Sequence, residues 1–383
     1  MKSRDSNGGL SRREFVRRSA AAATGAALAG TGLLTGLARA QQRDPLHRAF
    51  GKSDLVVPVL AMGTVGGWGD DSKGAAEDEA AVKTFAEALH YGIDQGLTMI
   101  HTCSGYGNGK CIVAVGEVMK TRRQEVVLCL KQMPDGELPG CLEALQTDHV
   151  DVLLPDRTAM HLIQDETVPD LYRAAKEQGV TKLTGFASHE NMPQILAAAL
   201  PMGCYDAAIL AYNPAAQQAL KEPVARAKEQ GLGLLAMKSC VDVPGEQWED
   251  VMAAIIADEH VHTLVRTVTG KADVDRWLGV VRRAVAEADA LRESGVLAAL
   301  RASGCAMCGA CAAGCPRGLN ACRIQRYAYY VEQGWTGYGR ECYAALGPAQ
   351  QVTACADCGT CERRCPQRLP VRERLQRAHR VLT

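Results

Sequence analysis

Leu97-Thr98-Met99-Ile100-His101 is an apolar run that ends on a polar side chain, and runs of this kind decide the fold. An earlier apolar run, residues 55–62, is followed by residues 77–95, whose apolar side chains have the spacing of one helix face. Strands that alternate with helices are typical of parallel sheets covered by helices. The candidate strands are residues 55–62, 97–101, 126–131, 150–154, 181–187, 206–210, 232–238 and 261–267.

Eight strand–helix units predict a (β/α)₈ barrel, which we assign to residues 41–292. Further helix-patterned segments are residues 169–178, 215–230 and 273–292. An open doubly wound sheet is the alternative, because a strand count taken from pattern can err. No glycine-rich dinucleotide loop and no Walker loop follows any candidate strand.

The composition limits the function classes. Hydrophobic residues make up 47% of the 383 residues, and the 43 basic residues balance the 43 acidic residues. The hydrophobic content is that of a globular protein with a core. A net charge of zero gives no reason to expect nucleic acid or an anionic membrane surface as a partner.

The N-terminus has the pattern of a targeting signal. Arg12-Arg13 precedes an uncharged segment at residues 19–37, and Ala38-Arg39-Ala40 follows as a cleavage site. The uncharged segment is rich in Ala and Gly, and we expect no stable membrane span in the mature chain. Residues 1–40 therefore predict a twin-arginine signal, export in the folded state by the twin-arginine machinery, and a periplasmic location. A basic tail and a retained anchor are the alternatives.

A cysteine repeat marks a second domain, assigned to residues 293–383. Three cysteines two residues apart, a fourth after three more residues and then a proline recur fifty residues later. This spacing is typical of two [4Fe–4S] clusters, in which the fourth cysteine of each run ligates the other cluster. We assign Cys305, Cys308, Cys311 and Cys365 to one cluster and Cys355, Cys358, Cys361 and Cys315 to the other. Zinc and disulfides are the alternatives.

The connection between the two runs is long and rich in tyrosine. Residues 321–333 have helical spacing, and the connection also contains Trp335. The domain resembles the α-helical ferredoxins of respiratory and heterodisulfide-reducing enzymes. We expect the remaining eight cysteines, which follow no ligand spacing, to be small buried residues.

Several polar residues fall at or just past the carboxyl ends of the candidate strands, where a barrel of this kind places its chemistry. They are His101, Lys131, Asp156, Ser188, His189 and Lys238.

Motifs around these residues resemble the aldo-keto reductases, over roughly residues 47–380. They are Val59-Leu60-Ala61-Met62-Gly63-Thr64, the run through His101-Thr102 that leads to Tyr106-Gly107, Val127-Leu128-Cys129-Leu130-Lys131, and Gly185-Phe186-Ala187-Ser188-His189. Met237-Lys238 and the terminal cysteine repeat are similar to the branch of that family with a C-terminal ferredoxin domain.

The resemblance implies reduction of a small carbonyl, or oxidation of an alcohol, with NADPH or NADH. Tyr106 is then the general acid and Lys131 the cation that lowers the pKa of the phenol. The family's aspartate position holds His101, and its histidine position holds Asp156. In a rewired site Asp156 pairs with Lys131 and His101 relays a proton near Tyr106. In a decayed site the barrel is a scaffold.

The resemblance also implies cofactor contacts. Ser188 and His189 take the position that holds the nicotinamide amide, and Gly270-Lys271 follows the last strand, where the cofactor phosphates bind. Lys238 is the remaining residue that we predict to bind the cofactor. The main hypothesis is an exported oxidoreductase whose clusters exchange electrons with a redox partner protein. The alternative is an electron-transfer or partner-binding subunit without catalysis of its own. A third possibility, based on the ferredoxin type, is reduction of a sulfur-containing or radical intermediate by the clusters.

Overall fold

The computed structural model describes residues 46–65, 79–155 and 160–383. The predicted signal at residues 1–40 and the candidate Asp156 lie outside the described residues. No helix within the described ranges is long and apolar enough to cross a membrane.

Eight parallel strands form a closed barrel, which confirms the predicted (β/α)₈ architecture. The strands follow one another around the ring in chain order, and the last pairs with the first. All eight carboxyl ends therefore lie on one rim. The barrel strands are β3 (Leu60–Gly63), β4 (Met99–Cys103), β5 (Val127–Lys131), β6 (Val150–Leu154), β7 (Thr181–Ser188), β8 (Ala207–Ala211), β9 (Gly233–Met237) and β10 (Thr263–Thr267).

The first predicted strand is divided in the structure. Its first half is β2 (Val56–Pro58), which pairs antiparallel with β1 (His47–Ala49), and its second half is β3. Pro58 has no N–H to donate, so it suits the edge of a two-stranded ribbon better than a barrel strand with neighbours on both sides. The hairpin was not predicted, because its strands are only three residues long.

The β1–β2 hairpin closes the amino-terminal end of the barrel. Phe50 in its turn is 1% exposed, and its ring meets the ring of His262 edge-on at a centroid distance of 5.6 Å. The N–H of Lys52 donates to the carbonyl of Gly231 at 2.9 Å. A Cβ atom on Gly233 would lie 2.5 Å from the Phe50 ring, so the first residue of β9 leaves the space that Phe50 fills.

Helices cover the outside of the barrel, and the predicted helices are found within two residues of their expected starts. The segment predicted at residues 273–292 is two helices that meet at Glu287. The barrel helices are α1 (Glu79–Asp94), α2 (Lys110–Arg122), α3 (Leu138–Ala144), α4 (Met160–Ile163), α5 (Val168–Glu177), α6 (Met192–Ala199), α7 (Pro214–Glu229), α8 (Trp248–Ile256), α9 (Lys271–Ala286) and α10 (Ala288–Glu293).

The C-terminal segment is helical and has a core of its own. Ile324, Tyr327, Tyr343, Leu375 and Leu382 are buried in this core. The aromatic and aliphatic side chains hold three longer helices together around the two cysteine runs. The helices are α11 (Val296–Arg301), α12 (Ala310–Ala313), α13 (Ala321–Glu332), α14 (Thr336–Ala344), α15 (Thr360–Arg363) and α16 (Val371–Leu382).

The C-terminal segment packs on the rim formed by the carboxyl ends of the barrel strands. Asn213, after β8, donates from its side-chain amide to the carbonyl of Cys305 at 3.0 Å. Asp242, after β9, accepts from the N–H of Cys305 at 2.8 Å and from Arg374 at 2.9 Å. After β7, Glu190 pairs with Arg323 at 2.6 Å. Loops that follow three neighbouring strands therefore hold the first cysteine run.

We expect Gly233→Ala to lower the free energy of unfolding by about 1–3 kcal/mol, because the added methyl group overpacks Phe50. Gly279→Ala is the matched control: it lies inside α9, its Cβ would meet nothing within 4 Å, and it should stabilise the helix by up to about 1 kcal/mol. Urea unfolding of the mature protein measures both. Equal stability of Gly233→Ala and the wild type would contradict the packing of Phe50 against β9.

Candidate functional site

A cavity opens at the carboxyl rim of the barrel, and both parts of the chain line it. The barrel contributes predicted site residues, namely Tyr106, Lys131, His101, His189 and Lys238. The C-terminal segment contributes residues that were not predicted as site residues, namely Arg326, Tyr327, Tyr329, Tyr330, Trp335 and Tyr338. The candidate active site is thus an enclosed space between two parts of the fold.

Tyr106 and Lys131 form the pair that the sequence predicted. Lys131 ends β5 and is 1% exposed, and its Nζ donates to the Tyr106 hydroxyl at 3.3 Å. Tyr106 begins a short 3₁₀ helix (Tyr106–Gly109) directly after β4, so neighbouring strands present the two groups. An ammonium group at this distance stabilises negative charge on the phenolic oxygen, which suits the phenol to give up a proton.

His101 lies beside this pair with its ring almost fully buried. It is 3% exposed, its ring centroid is 6.3 Å from that of Tyr106, and its Nε2 has no hydrogen-bond partner among the described residues. Burial, together with the nearby Lys131 ammonium, lowers the pKa of His101 well below the ordinary value of 6.5. The ring is therefore neutral at pH 7, and its Nε2 is available to a molecule in the cavity.

Three predicted cofactor residues, Ser188, Gly270 and Lys271, do not line the cavity. The Ser188 hydroxyl donates to the carbonyl of Glu190 at 2.8 Å, and Ser188 is not among the residues that line the cavity. Gly270 and Lys271 begin α9, away from the cavity lining, and the Lys271 ammonium lies 5.7 Å from the centre of the Tyr91 ring.

Lys238 connects the barrel to the segment that covers it. Its backbone has a φ of 55°, a left-handed conformation that few residues with a Cβ adopt. This turn directs Nζ over the Tyr330 ring, at 4.4 Å from its centre. The cation–π contact holds α13 over the barrel mouth.

The residues of the C-terminal segment that sequence reasoning missed come from α13, the turn after it and α14. Their signal was the cluster of tyrosines with Trp335 in the connection between the cysteine runs. Large aromatic side chains at a helix surface mark a buried contact, but the pattern does not name the surface they cover.

The two cysteine runs have the same backbone geometry. Met307 and Asp357, fifty residues apart, have φ values of 51° and 49°, and Gly309 and Gly359 have φ values of 77° and 68°. The N–H of Met307 donates to the Sγ of Cys305 at 3.4 Å, and the N–H of Asp357 donates to the Sγ of Cys355 at the same distance. Backbone donors that turn toward sulfur are typical of loops that hold iron–sulfur clusters.

The fourth cysteine of each run lies near the opposite run. One cavity is lined by Cys311 and Cys315 of the first run together with Cys355, Cys358 and Cys361 of the second. In the other set, burial raises the pKa of Cys308, and the neighbouring Cys305 and Cys365 raise it further. The crossed ligand sets assigned from the sequence stay a prediction.

The described residues contain no group of three or more His, Cys, Asp or Glu side chains arranged to hold a metal ion. In a cubane cluster each thiolate binds a different iron atom, so the ligands surround the cluster and do not converge on one ion. All sixteen cysteines are free thiols. Of the eight outside the runs, six are buried, and Cys204 and Cys342 are half-buried.

We expect the pH dependence of stability to change when His101 is replaced. Because the folded state keeps His101 neutral, the unfolded chain binds one more proton below pH 6.5, and stability is lost as the pH falls. Between pH 7.5 and 5.5 the wild type should lose about 1.4 kcal/mol more than His101→Gln. Thermal unfolding at both pH values measures this. His161→Gln, which removes an exposed histidine, is the control; equal pH dependence of wild type and His101→Gln would show that His101 titrates normally.

Solved structures similar to this one are aldo-keto reductases. An aldo-keto reductase from Pseudomonas aeruginosa has a TM-score of 0.53 and 20% identity, over 63% of this chain and 95% of that one. One from Bacillus halodurans has a TM-score of 0.51 and 18% identity, over 64% and 95%. One from Klebsiella pneumoniae, solved in complex with NADPH, has a TM-score of 0.51 and 18% identity, over 63% and 93%.

No protein-family model and no curated protein sequence matches the chain. The similarity to solved structures spans about the share of the chain that the barrel takes up. The barrel of this chain has the fold of the aldo-keto reductases.

Proposed function

We propose that the chain is an exported iron–sulfur oxidoreductase of aldo-keto reductase type. In this proposal the barrel cavity interconverts a small carbonyl compound and an alcohol, and two clusters exchange electrons with a redox partner protein. The observation that carries the proposal is the contact of the buried Lys131 ammonium with the Tyr106 hydroxyl at 3.3 Å, at the ends of adjacent strands.

The proton chemistry of the reaction belongs to Tyr106. Its hydroxyl gives a proton to the oxygen of a bound carbonyl, and Lys131 stabilises the charge that remains on the phenolic oxygen. The neutral His101 relays the proton near Tyr106, at the position where the family has an aspartate. Burial of these groups keeps the electrostatic contribution of Lys131 large.

A nicotinamide, when bound, supplies the hydride of this chemistry. His189 and Lys238 line the cavity and are the predicted cofactor residues that support such binding, whereas Ser188, Gly270 and Lys271 do not line it. NADPH and NADH therefore remain proposed cofactors.

The cysteine runs fit [4Fe–4S] clusters in ligand type, in loop conformation and in the crossed position of the fourth cysteine. Bound clusters supply single electrons, and two electrons with two protons interconvert a carbonyl and an alcohol. Cys305 also faces a second cavity, which shares Arg326 and Tyr329 with the barrel cavity. This proximity supports electron exchange between the two sites.

Export and location follow from residues 1–40 alone. We propose that the twin-arginine pattern sends the folded protein to the periplasm, which agrees with cluster insertion in the cytoplasm before transport. The second candidate function is an electron-transfer or partner-binding subunit. The observation in its favour is the cover of aromatic residues over the barrel mouth, where Trp335 and Tyr338 take up space that an open reductase site would leave to its ligands.

The first test is anaerobic purification of the chain from Gln41, with iron and sulfide assays, EPR, and titration with NADPH as the reductant. Bleaching of the clusters by NADPH, and reduction of small aldehydes and ketones, are the expected results. We expect Lys131→Met to lower carbonyl reduction by about 100-fold or more without loss of iron. Lys120→Met, an exposed lysine paired with Glu117, is the control. Clusters that dithionite reduces and NADPH does not would favour the electron-transfer subunit.

The crossed ligand sets predict which cysteine variants behave alike. Cys315→Ser should perturb the same EPR signal as Cys358→Ser, and Cys365→Ser the same signal as Cys308→Ser, because each pair removes a ligand from one cluster. If Cys315→Ser instead matches Cys308→Ser, each run holds its own cluster and the crossed assignment fails.

A further inference from the structure

The buried guanidinium of Arg326 has no ion-pair partner among the described residues. Arg326 lies on α13, is 5% exposed, and lines the barrel cavity. Its Nε has no hydrogen-bond partner among the described residues, and its guanidinium carbon lies 5.3 Å from the centre of the Tyr327 ring. Arginine cannot shed its charge in a protein, so a buried and unpaired guanidinium is costly. A bound anion would offset this cost.

The carboxylate that attracts Arg326 is already hydrogen-bonded to other residues. Glu190 attracts Arg326 electrostatically, yet its two oxygens accept from Arg323 at 2.6 Å and from the Asn320 amide at 2.8 Å. No ion pair joins Glu190 to Arg326 within the described residues. The Glu190 carboxylate thus binds α13 to the loop after β7. It does not form an ion pair with Arg326.

The two cavities that Arg326 lines differ in their carboxylates. Arg326 also lines the second cavity, but there Asp242 pairs with Arg374 at 2.9 Å and Glu332 pairs with Arg377 at 2.7 Å. The barrel cavity is lined by four cationic side chains and two imidazoles, and the described lining contains no carboxylate. The cations are Lys131, Lys238, Arg266 and Arg326.

Arg266 adds to the positive charge of the cavity. Its guanidinium lies between the rings of Trp248 and Trp277, at 4.8 and 4.9 Å from their centres, and its Nε has no hydrogen-bond partner among the described residues. The rings hold the guanidinium in place and leave its charge without an anionic partner. Two arginines of the cavity therefore lack a counter-ion.

We propose that the cavity binds an anionic substrate, a small oxo acid or the corresponding hydroxy acid, and that Arg326 binds its carboxylate. The C-terminal segment then determines substrate specificity, because it brings a guanidinium to the carbonyl chemistry of Tyr106 and Lys131. A guanidinium and a carboxylate form a charge-assisted, bidentate pair that is strong where water is excluded. The choice of an oxo acid rests on the proposed carbonyl function; the anion site rests on Arg326 itself.

The test is calorimetric titration of the mature, cluster-containing protein with pyruvate and phenylpyruvate, each against its uncharged amide. The wild type should bind each acid at least about 10-fold more tightly than its amide. Arg326→Gln should weaken binding of the acids by at least about 30-fold and that of the amides by less than about 3-fold, and Arg326→Lys should recover part of the acid affinity. Arg340→Gln, an exposed arginine of α14 outside the cavity lining, is the matched control.

Three results would overturn the assignment. Equal affinities of the wild type for acid and amide, or no binding of either acid, would show that the cavity does not select a carboxylate. Loss of NADPH or inorganic phosphate affinity in Arg326→Gln with pyruvate binding unchanged would identify a cofactor phosphate as the counter-ion. An altered cluster potential with unchanged pyruvate binding would identify the cluster. Iron content and circular dichroism confirm that each variant is folded. If Arg326→Gln does not fold, the acid and amide affinities of Arg326→Lys provide the test.

These experiments distinguish failure of the anion site from failure of the proposed oxidoreductase function. If uncharged aldehydes are still reduced with NADPH while acid and amide bind equally, the oxidoreductase proposal stands and the anionic substrate falls. If pyruvate binding depends on Arg326 in a protein without carbonyl reduction, the anion site stands and the catalytic proposal falls.

Discussion

Closure of the barrel between β10 and β3 is the constraint on which the rest of the structure depends. Val265 is in register with Ala61, and Thr267 with Gly63, so the last strand of the ring hydrogen-bonds to the first. A closed ring of parallel strands has no free edge, and its strands end together at one rim. Lys131 and the 3₁₀ turn that begins at Tyr106 meet because β4 and β5 are neighbours in this ring.

The same rim serves as the docking surface for the C-terminal segment. Asn213 and Asp242 hold the backbone of Cys305 on both sides, and Glu190 holds α13 through Arg323. The contacts of Asn213 and Glu190 are half-buried and that of Asp242 is exposed; all three position the same segment. The cavity therefore has two walls whose positions are coupled: loops after the barrel strands form one, and α13 with Trp335 forms the other.

The sequence was sufficient for the parts of the molecule that depend on local pattern. Short apolar runs that alternate with helix-patterned segments located the eight barrel strands. The Tyr106–Lys131 contact followed from motif positions at the strand ends. The division of the first strand at Pro58 was missed, because an apolar run does not reveal which of its residues leave the ring.

The cover over the cavity could not be predicted from pattern. Arg326 has the sequence context of an ordinary surface arginine on an amphipathic helix, and only the packing of α13 on the barrel buries it. Ser188 is a second case, since the path of the following loop directs its hydroxyl to the Glu190 carbonyl. Contacts between residues far apart in the chain leave no periodic signal.

The two cysteine loops share a backbone but differ in their surroundings. Ala306 and Met307 are 4% and 3% exposed beneath the barrel loops, whereas their counterparts Ala356 and Asp357 are exposed. In the proposed iron–sulfur protein, this difference would set the order in which the two clusters are inserted. A cluster carried by the inner loop has to be inserted while that loop is still accessible, before the helical segment docks on the barrel. The outer loop stays accessible afterwards, so a damaged cluster there can be rebuilt without undocking.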